Sequence, residues 1–122
     1  MRSNVLSILA VALSLAGCKE SFKINVPSDP NAIYFDEGTF RQENGFIQIW
    51  TQRSSSEGFS HAVRVVDCER KAFEYIYDND KKPEEFPIGN QVHPSGQLVD
   101  ESISYWVSGY ACKKHGFSVA DW

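Results

Sequence analysis

Three cysteines, three histidines and a scatter of acidic residues are the side chains most able to do chemistry in this 122-residue chain. Thiolates attack electrophiles and bind soft metals, imidazoles relay protons or ligate metals, and paired carboxylates do acid–base work. Each use needs a spacing. His61, His93 and His115 form no HxxxH or HExxH pattern, and Cys18, Cys68 and Cys112 form no CxxC. Each histidine therefore reads as a single solvated side chain. There is no GxSxG nucleophile turn and no glycine-rich phosphate loop. Asp36, Glu37, Asp67 and Glu69 fall at expected strand ends and read as solvated turn residues, with Asp67 placed to orient the loop beside Cys68. No catalytic, cofactor-binding or metal-binding residue is assigned, and no enzyme activity is expected.

The cysteines carry the stronger signal. Arg2 precedes an apolar run from Val5 to Leu15, broken only by Ser7 and Ser14. That run is too short for a stable membrane-spanning helix, which needs about 20 apolar residues. Small residues follow, and Leu15-Ala16-Gly17-Cys18 resembles the bacterial lipobox, in which the thiol takes a diacylglycerol and cleavage falls just before it. Residues 1–17 thus read as a lipoprotein signal peptide and Cys18 as the lipid attachment site. The alternative is a plain secretory signal with a chance cysteine. Lys19, where an Asp would favour inner-membrane retention, points to the outer membrane. Lipidation leaves Cys68 and Cys112, and an oxidising envelope would pair them; the alternative is two separate buried thiols. Without Arg2 the net charge of −4 becomes −5, which disfavours a nucleic-acid partner.

These groups need elements to position them. Residues 18–31 read as lipid anchor and linker, with Pro27 and Pro30 and no sustained period. Fully extended, the stretch reaches roughly 40 Å at about 3.3 Å per residue. From residue 32 to 122 the pattern is strands, then one helix. Ala32–Phe35 is a short strand ending at a turn over Asp36-Glu37-Gly38, and Thr39–Glu43 a weak one. Asn44-Gly45 is a strong hairpin signal. Phe46–Gln52, Ser60–Cys68 and Ala72–Tyr77 are strands, separated by a polar Arg53–Gly58 loop and a Glu69-Arg70-Lys71 turn. Asp78–Glu85 is a charged loop, and Phe86–Val92 a short strand that Pro87 confines to an edge. Ser95 is the expected N-cap of a helix whose apolar face carries Leu98, Val99, Ile103, Trp106, Gly109 and Tyr110, with Cys112 at its margin and Gly116 as the C′ residue. Gly109 is read as letting the helix approach a sheet. The Phe117–Trp122 tail has no assigned place.

The series Ile33-Tyr34-Phe35-Asp36, Gly45-Phe46-Ile47-Gln48-Ile49-Trp50, Val65-Val66-Asp67-Cys68 and a helix ending Tyr110-Ala111-Cys112 resembles the surface-adhesin protein E family of small Gram-negative lipoproteins. The likeness spans about Ala32 to Cys112. It implies an α+β fold, an antiparallel sheet with a C-terminal helix on one face, locked by a disulfide. Cys68 and Cys112 match the bridge and Cys18 the lipid site. It also implies adhesin-like binding, since the founding member binds host proteins such as vitronectin and laminin; none of its receptor-binding segments is matched here.

Three functions follow as expectations. One is an outer-membrane lipoprotein binding host matrix or envelope proteins. The second is a periplasmic inhibitor or immunity-type protein acting on a cell-wall hydrolase, with Arg53-Ser54-Ser55-Ser56 as the blocking loop. The third is a structural envelope accessory. For a binder, Trp50, Tyr75, Tyr77, Tyr105 and Trp106 would supply anchors, although Trp50 and Trp106 suit a core as well. Tyr75 and Tyr77 share parity with Phe73, so an aromatic row is expected on the face away from the helix. That row, or an open sheet edge, would also suit a homodimer.

Overall fold

The computed structural model describes residues 22–122. The expected signal peptide, the expected Cys18 lipid site and Lys19 lie outside the described residues. Six strands form one antiparallel sheet in chain order: β1 Lys23–Ile24, β2 Ile33–Arg41, β3 Ile47–Ser55, β4 Gly58–Asp67, β5 Ala72–Asn79 and β6 Gly96–Gln97. One helix, α1 Ile103–Lys114, packs on the sheet, and the fold is α+β as expected. Among the described residues no helix is long and apolar enough to cross a membrane.

Local sequence explains the hairpins. Between β2 and β3, Glu43-Asn44-Gly45 form a three-residue loop closed by the Gln42 amide donating to the Phe46 carbonyl, and only Gly45 needs positive φ. The expected polar loop at Arg53–Gly58 is instead a tight turn: β3 runs on to Ser55, which pairs with Gly58. Arg53 has a folded partner in Asp29, and that contact lets the strand continue. After β4, the Asp67 carboxylate accepts the Glu69 and Arg70 amides, so it does orient the turn beside Cys68.

Two β-bulges overturn the expected faces. Asp36-Glu37-Gly38 is no turn; β2 continues through it with a register shift between Asp36 and Gly38. A Cβ at Gly38 would stand 3.1 Å from the Phe86 ring, so a larger residue there would push the ring back by a few tenths of an ångström. In β5, Val63 pairs with Tyr77 while Arg64 pairs with Tyr75, leaving Ile76 unpaired. The extra residue reverses the alternation. Tyr75 therefore lies on the helix side and Tyr77 on the other, and the three-aromatic row does not exist.

The stretch expected as a linker is folded from Phe22 onward. β1 pairs with Phe35 and Tyr34 of β2, and Ile24 and Val26 are buried in the core beneath the helix. Two apolar residues at alternate positions provide enough burial to hold the segment, each contributing about 1.5–3 kcal/mol when fully covered.

Phe86–Val92 is not a strand. Gln48, fully buried near the start of β3, donates from Nε2 to the Ile88 carbonyl at 2.6 Å and accepts the Ile88 amide on Oε1 at 2.8 Å. Both main-chain groups of Ile88 are thus taken by one side chain, and the segment crosses the sheet's second face, with Phe86 on Trp50. The edge is β6 instead, where Gly96 pairs with Phe73 so closely that a Cβ would meet the Phe73 carbonyl oxygen at 2.7 Å.

That pairing also moves the helix start. Gly96 and Gln97 are committed to the sheet, Glu101 turns the chain at positive φ, and Ser102 rather than Ser95 is the N-cap, accepting the Tyr105 amide at 3.2 Å. The C-terminus is as expected. Gly116 is the C′ residue, and the Gly116 and Phe117 amides return to the Lys113 and Cys112 carbonyls in a Schellman motif. The buried face is Ser104, Val107, Ser108, Ala111 and Cys112, not the broader stripe of large residues. Small side chains let the helix lie close to the sheet, while Trp106 and Tyr110 pack at its flanks. Gly109 faces outward, where a Cβ would lie 3.4 Å from the ring of Trp122. The terminal tail thus folds back over the helix.

Cys68, at the end of β4, and Cys112 of α1 form the disulfide, with Cα atoms 5.7 Å apart. Beside it, the fully buried Ser108 Oγ has no hydrogen-bond partner among the described residues. Ser108→Ala removes that orphan hydroxyl and improves helix propensity, so it is expected to raise unfolding stability by about 1 kcal/mol. Urea midpoints of the two proteins check this; a lower midpoint for alanine would mean that the hydroxyl is satisfied in solution.

Candidate functional site

A polar cavity of about 400 Å³ opens on the helix side of the sheet, near the helix start. β3, β4 and β5 contribute Thr51, Arg53, Ser60, Arg64, Tyr75 and Asp78, the segment before β2 adds Ser28 and Asp29, and the helix adds Ile103. At its base lies Arg64, only 3% exposed. Its Nε donates to Ser104 Oγ at 3.0 Å, one Nη to Thr51 Oγ1 at 3.0 Å and the other to Tyr75 Oη at 2.9 Å. Ser104 in turn donates to Tyr75 at 3.0 Å. Hydroxyls thus surround the guanidinium, and the Tyr75 ring lies 4.6 Å beneath it. Among the described residues Arg64 makes no ion pair. Burial pushes its pKa down, with Tyr75 partly offsetting the effect, but arginine starts so high that it stays charged.

The opposite wall is self-compensated. Arg53 Nε donates to Asp29 at 2.8 Å and to Tyr34 Oη at 3.1 Å, and Tyr34 donates to the same carboxylate at 2.7 Å. The hydrogen bonds from Arg53 and Tyr34 hold the Asp29 pKa down. Burial and the bond to Asp29 push Tyr34 up to about 12. Asp78 is exposed at the rim.

The residues singled out by type are dispersed. His61 is buried rather than solvated, its Nδ1 accepting a hydrogen bond from Trp50 Nε1 at 3.3 Å on the face away from the helix. His115 caps the helix and meets Thr39 Oγ1 at 3.0 Å. His93 stacks edge-on against Phe46. Among the described residues no three His, Cys, Asp or Glu side chains gather as a metal site would require. Asp36, expected in solvent, is buried and accepts from Tyr110 Oη and Lys114 Nζ, tying β2 to the helix. Glu37 and Glu69 are exposed. Trp50 and Trp106 are half-buried, the first under Phe86 and the second against the core. Tyr105 stacks on Trp106 and Trp122, and Tyr77 donates to the Lys81 carbonyl. Sequence reading passed over Arg64, although a charged residue inside Val63-Arg64-Val65-Val66 of a strand covered on both faces was the available signal.

The two packed histidines predict a pH dependence. Burial lowers both pKa values, with Arg41 and Lys114 adding to the effect at His115. The folded chain then binds fewer protons than the unfolded one just below the ordinary histidine value of 6.5. Stability is therefore full above that pH and falls as acid is added toward the lowered values. Asp29 works in a separate window, since its contribution is lost only below about its ordinary 3.8. Thermal unfolding from pH 7.5 to 5.5 should show Tm falling, with a shallower slope in His61→Gln; equal slopes would exclude His61 as a contributor.

Comparison with known proteins gives no match: no family model, no curated protein and no solved structure corresponds to this chain.

Proposed function

We propose that the chain is a lipid-anchored lipoprotein of the surface-adhesin protein E type, held in the outer membrane through Cys18, whose domain binds host matrix or envelope proteins and catalyses nothing. The observation that carries this reading is the Cys68–Cys112 bridge between β4 and the helix. Such a bond is rare in proteins of a reducing cytosol and common in the cell envelope. The signal-like first 17 residues and the Leu15-Ala16-Gly17-Cys18 tetrapeptide support the same location. Acyl chains on the anchor would give firm membrane attachment, where one chain alone is marginal. The hydrolase-inhibitor reading loses its proposed loop, because Arg53-Ser54-Ser55 belong to β3. β1 and β6 are two-residue strands covering part of each sheet edge, an arrangement that limits pairing with another chain.

The test has two parts. Labelled palmitate should enter the wild type and not Cys18→Ser, and the variant should leave the membrane fraction. Capture from serum and matrix proteins, run beside purified cell-wall hydrolases, should retain a matrix or serum protein. Palmitate labelling of the serine variant would refute the anchor, and inhibition of a hydrolase would replace adhesion with the inhibitor reading.

A further inference from the structure

We infer that the cavity at Arg64 is a binding site for a single carboxylate group. A guanidinium taken out of water is costly unless an opposite charge compensates it. Arg64 is 97% removed from solvent, and every partner it has among the described residues is a neutral hydroxyl. Of its five N–H groups three are engaged, one on each nitrogen, so one N–H on each Nη is left over. Two N–H groups on adjacent Nη nitrogens are what a carboxylate accepts in bidentate fashion. The side chain also lines an open cavity rather than sealed core.

The surrounding charges set the ligand class. Asp29 is already neutralised by Arg53, and Asp78 stands at the rim. Together they leave one uncompensated positive charge at the base and a negative one at the mouth. A monocarboxylate satisfies the base with one charge, and Asp78 at the mouth repels a phosphate dianion or polyanion more strongly than it repels a single charge. About 400 Å³ holds a small organic acid or the last residue of a peptide, not a folded surface. This goes beyond the binding of large host or envelope proteins proposed above, and it stands whether or not that adhesion occurs.

The test is an NMR titration of the full chain in detergent, following the Arg64 side-chain resonance and the Thr51 and Ile103 amides. Four probes are used: acetate, a tripeptide with a free C-terminus, the same tripeptide amidated, and inorganic phosphate. Saturable shifts with acetate and the free-acid peptide, and none with the amide, are expected. Tighter binding of the peptide than of acetate would mark a chain terminus as the source, and equal affinity a small free acid. Arg64→Lys, which loses the fork, should weaken binding about tenfold. Ala62 of β4 lines the same cavity and takes no part in the Arg64 hydrogen bonds; Ala62→Leu fills the cavity and should abolish the shifts, which keeps the test decisive if Arg64 variants unfold. Absence of shifts with both carboxylates, equal binding of the amide, tighter binding of phosphate, or full binding by Ala62→Leu would each overturn the assignment. None of these outcomes depends on palmitate labelling or on capture of a host protein.

Discussion

Replacing Cys68 and Cys112 together by alanine is expected to cost about 4 kcal/mol of unfolding free energy. The bridge joins residues 44 apart in sequence, and the loop-closure entropy it removes from the unfolded chain scales with the logarithm of that length. Both sulfurs are nearly or fully buried, so the pair also fills core volume between β4 and the helix. Against a typical net stability of about 5–15 kcal/mol, such a loss is a large fraction. Urea unfolding of the double variant should show a much lower midpoint, and wild type with a reductant should behave alike. A double variant within about 1 kcal/mol of wild type would mean that packing alone fixes the helix, and that the bond constrains little of the unfolded ensemble.

Asp36→Ala should come next, at about 3 kcal/mol. The side chain is almost fully buried, and it receives Lys114 Nζ, Tyr110 Oη at 2.7 Å and the Gly38 amide at 2.8 Å. Burial and the bond to Asp36 push the Tyr110 pKa well up, the expected sign for a phenol that is a committed donor. Truncation leaves that phenol and the bulge amide without their acceptor. Lys114 is 41% exposed and can turn to water, which keeps the cost below that of a fully enclosed pair. Tyr110→Phe removes one donor and should cost about 1 kcal/mol. Guanidinium unfolding of the two single variants and the double measures the coupling. If Asp36→Ala and Tyr110→Phe are strictly additive, the two side chains do not act together.

Much of the strand-then-helix order was readable because local chemistry suffices for it. β-branched and aromatic residues in Phe46–Gln52 and Ser60–Cys68 favour a pleated surface, the asparagine-glycine step fixes a hairpin, and Gly116 ends a helix. Pairing of Cys68 with Cys112 was expected from a cysteine count once Cys18 was set aside for a lipid and an oxidising compartment was assumed. Errors gathered where a distant residue overrides a local preference. Pro94-Ser95-Gly96 has the chemistry of a helix start, yet β5 takes the Gly96 and Gln97 backbone first. Asp36-Glu37-Gly38 has the composition of a turn, yet pairing with Trp50 and Thr51 of β3 carries the strand through it as a bulge, with Phe86, nearly fifty residues on, packed over Gly38. A single unpaired Ile76 put Tyr77 on the opposite face from Phe73 and Tyr75, with which its parity had grouped it.

By itself, then, the chain's order of residue types determined the class of fold and the staple. These depend on patterns within a few residues or on the pairing of two equivalent atoms. Only the three-dimensional packing decided where the ionic groups go. Among the described residues Arg64 became a buried cation without an ion pair, because Thr51, Ser104 and Tyr75, from three other elements, converge on it with hydroxyls. Asp36 became a helix anchor because Tyr110 and Lys114 lie over it. Such environments are sums over neighbours remote in sequence, and burial changes the free energy of a charge far more than its local sequence does.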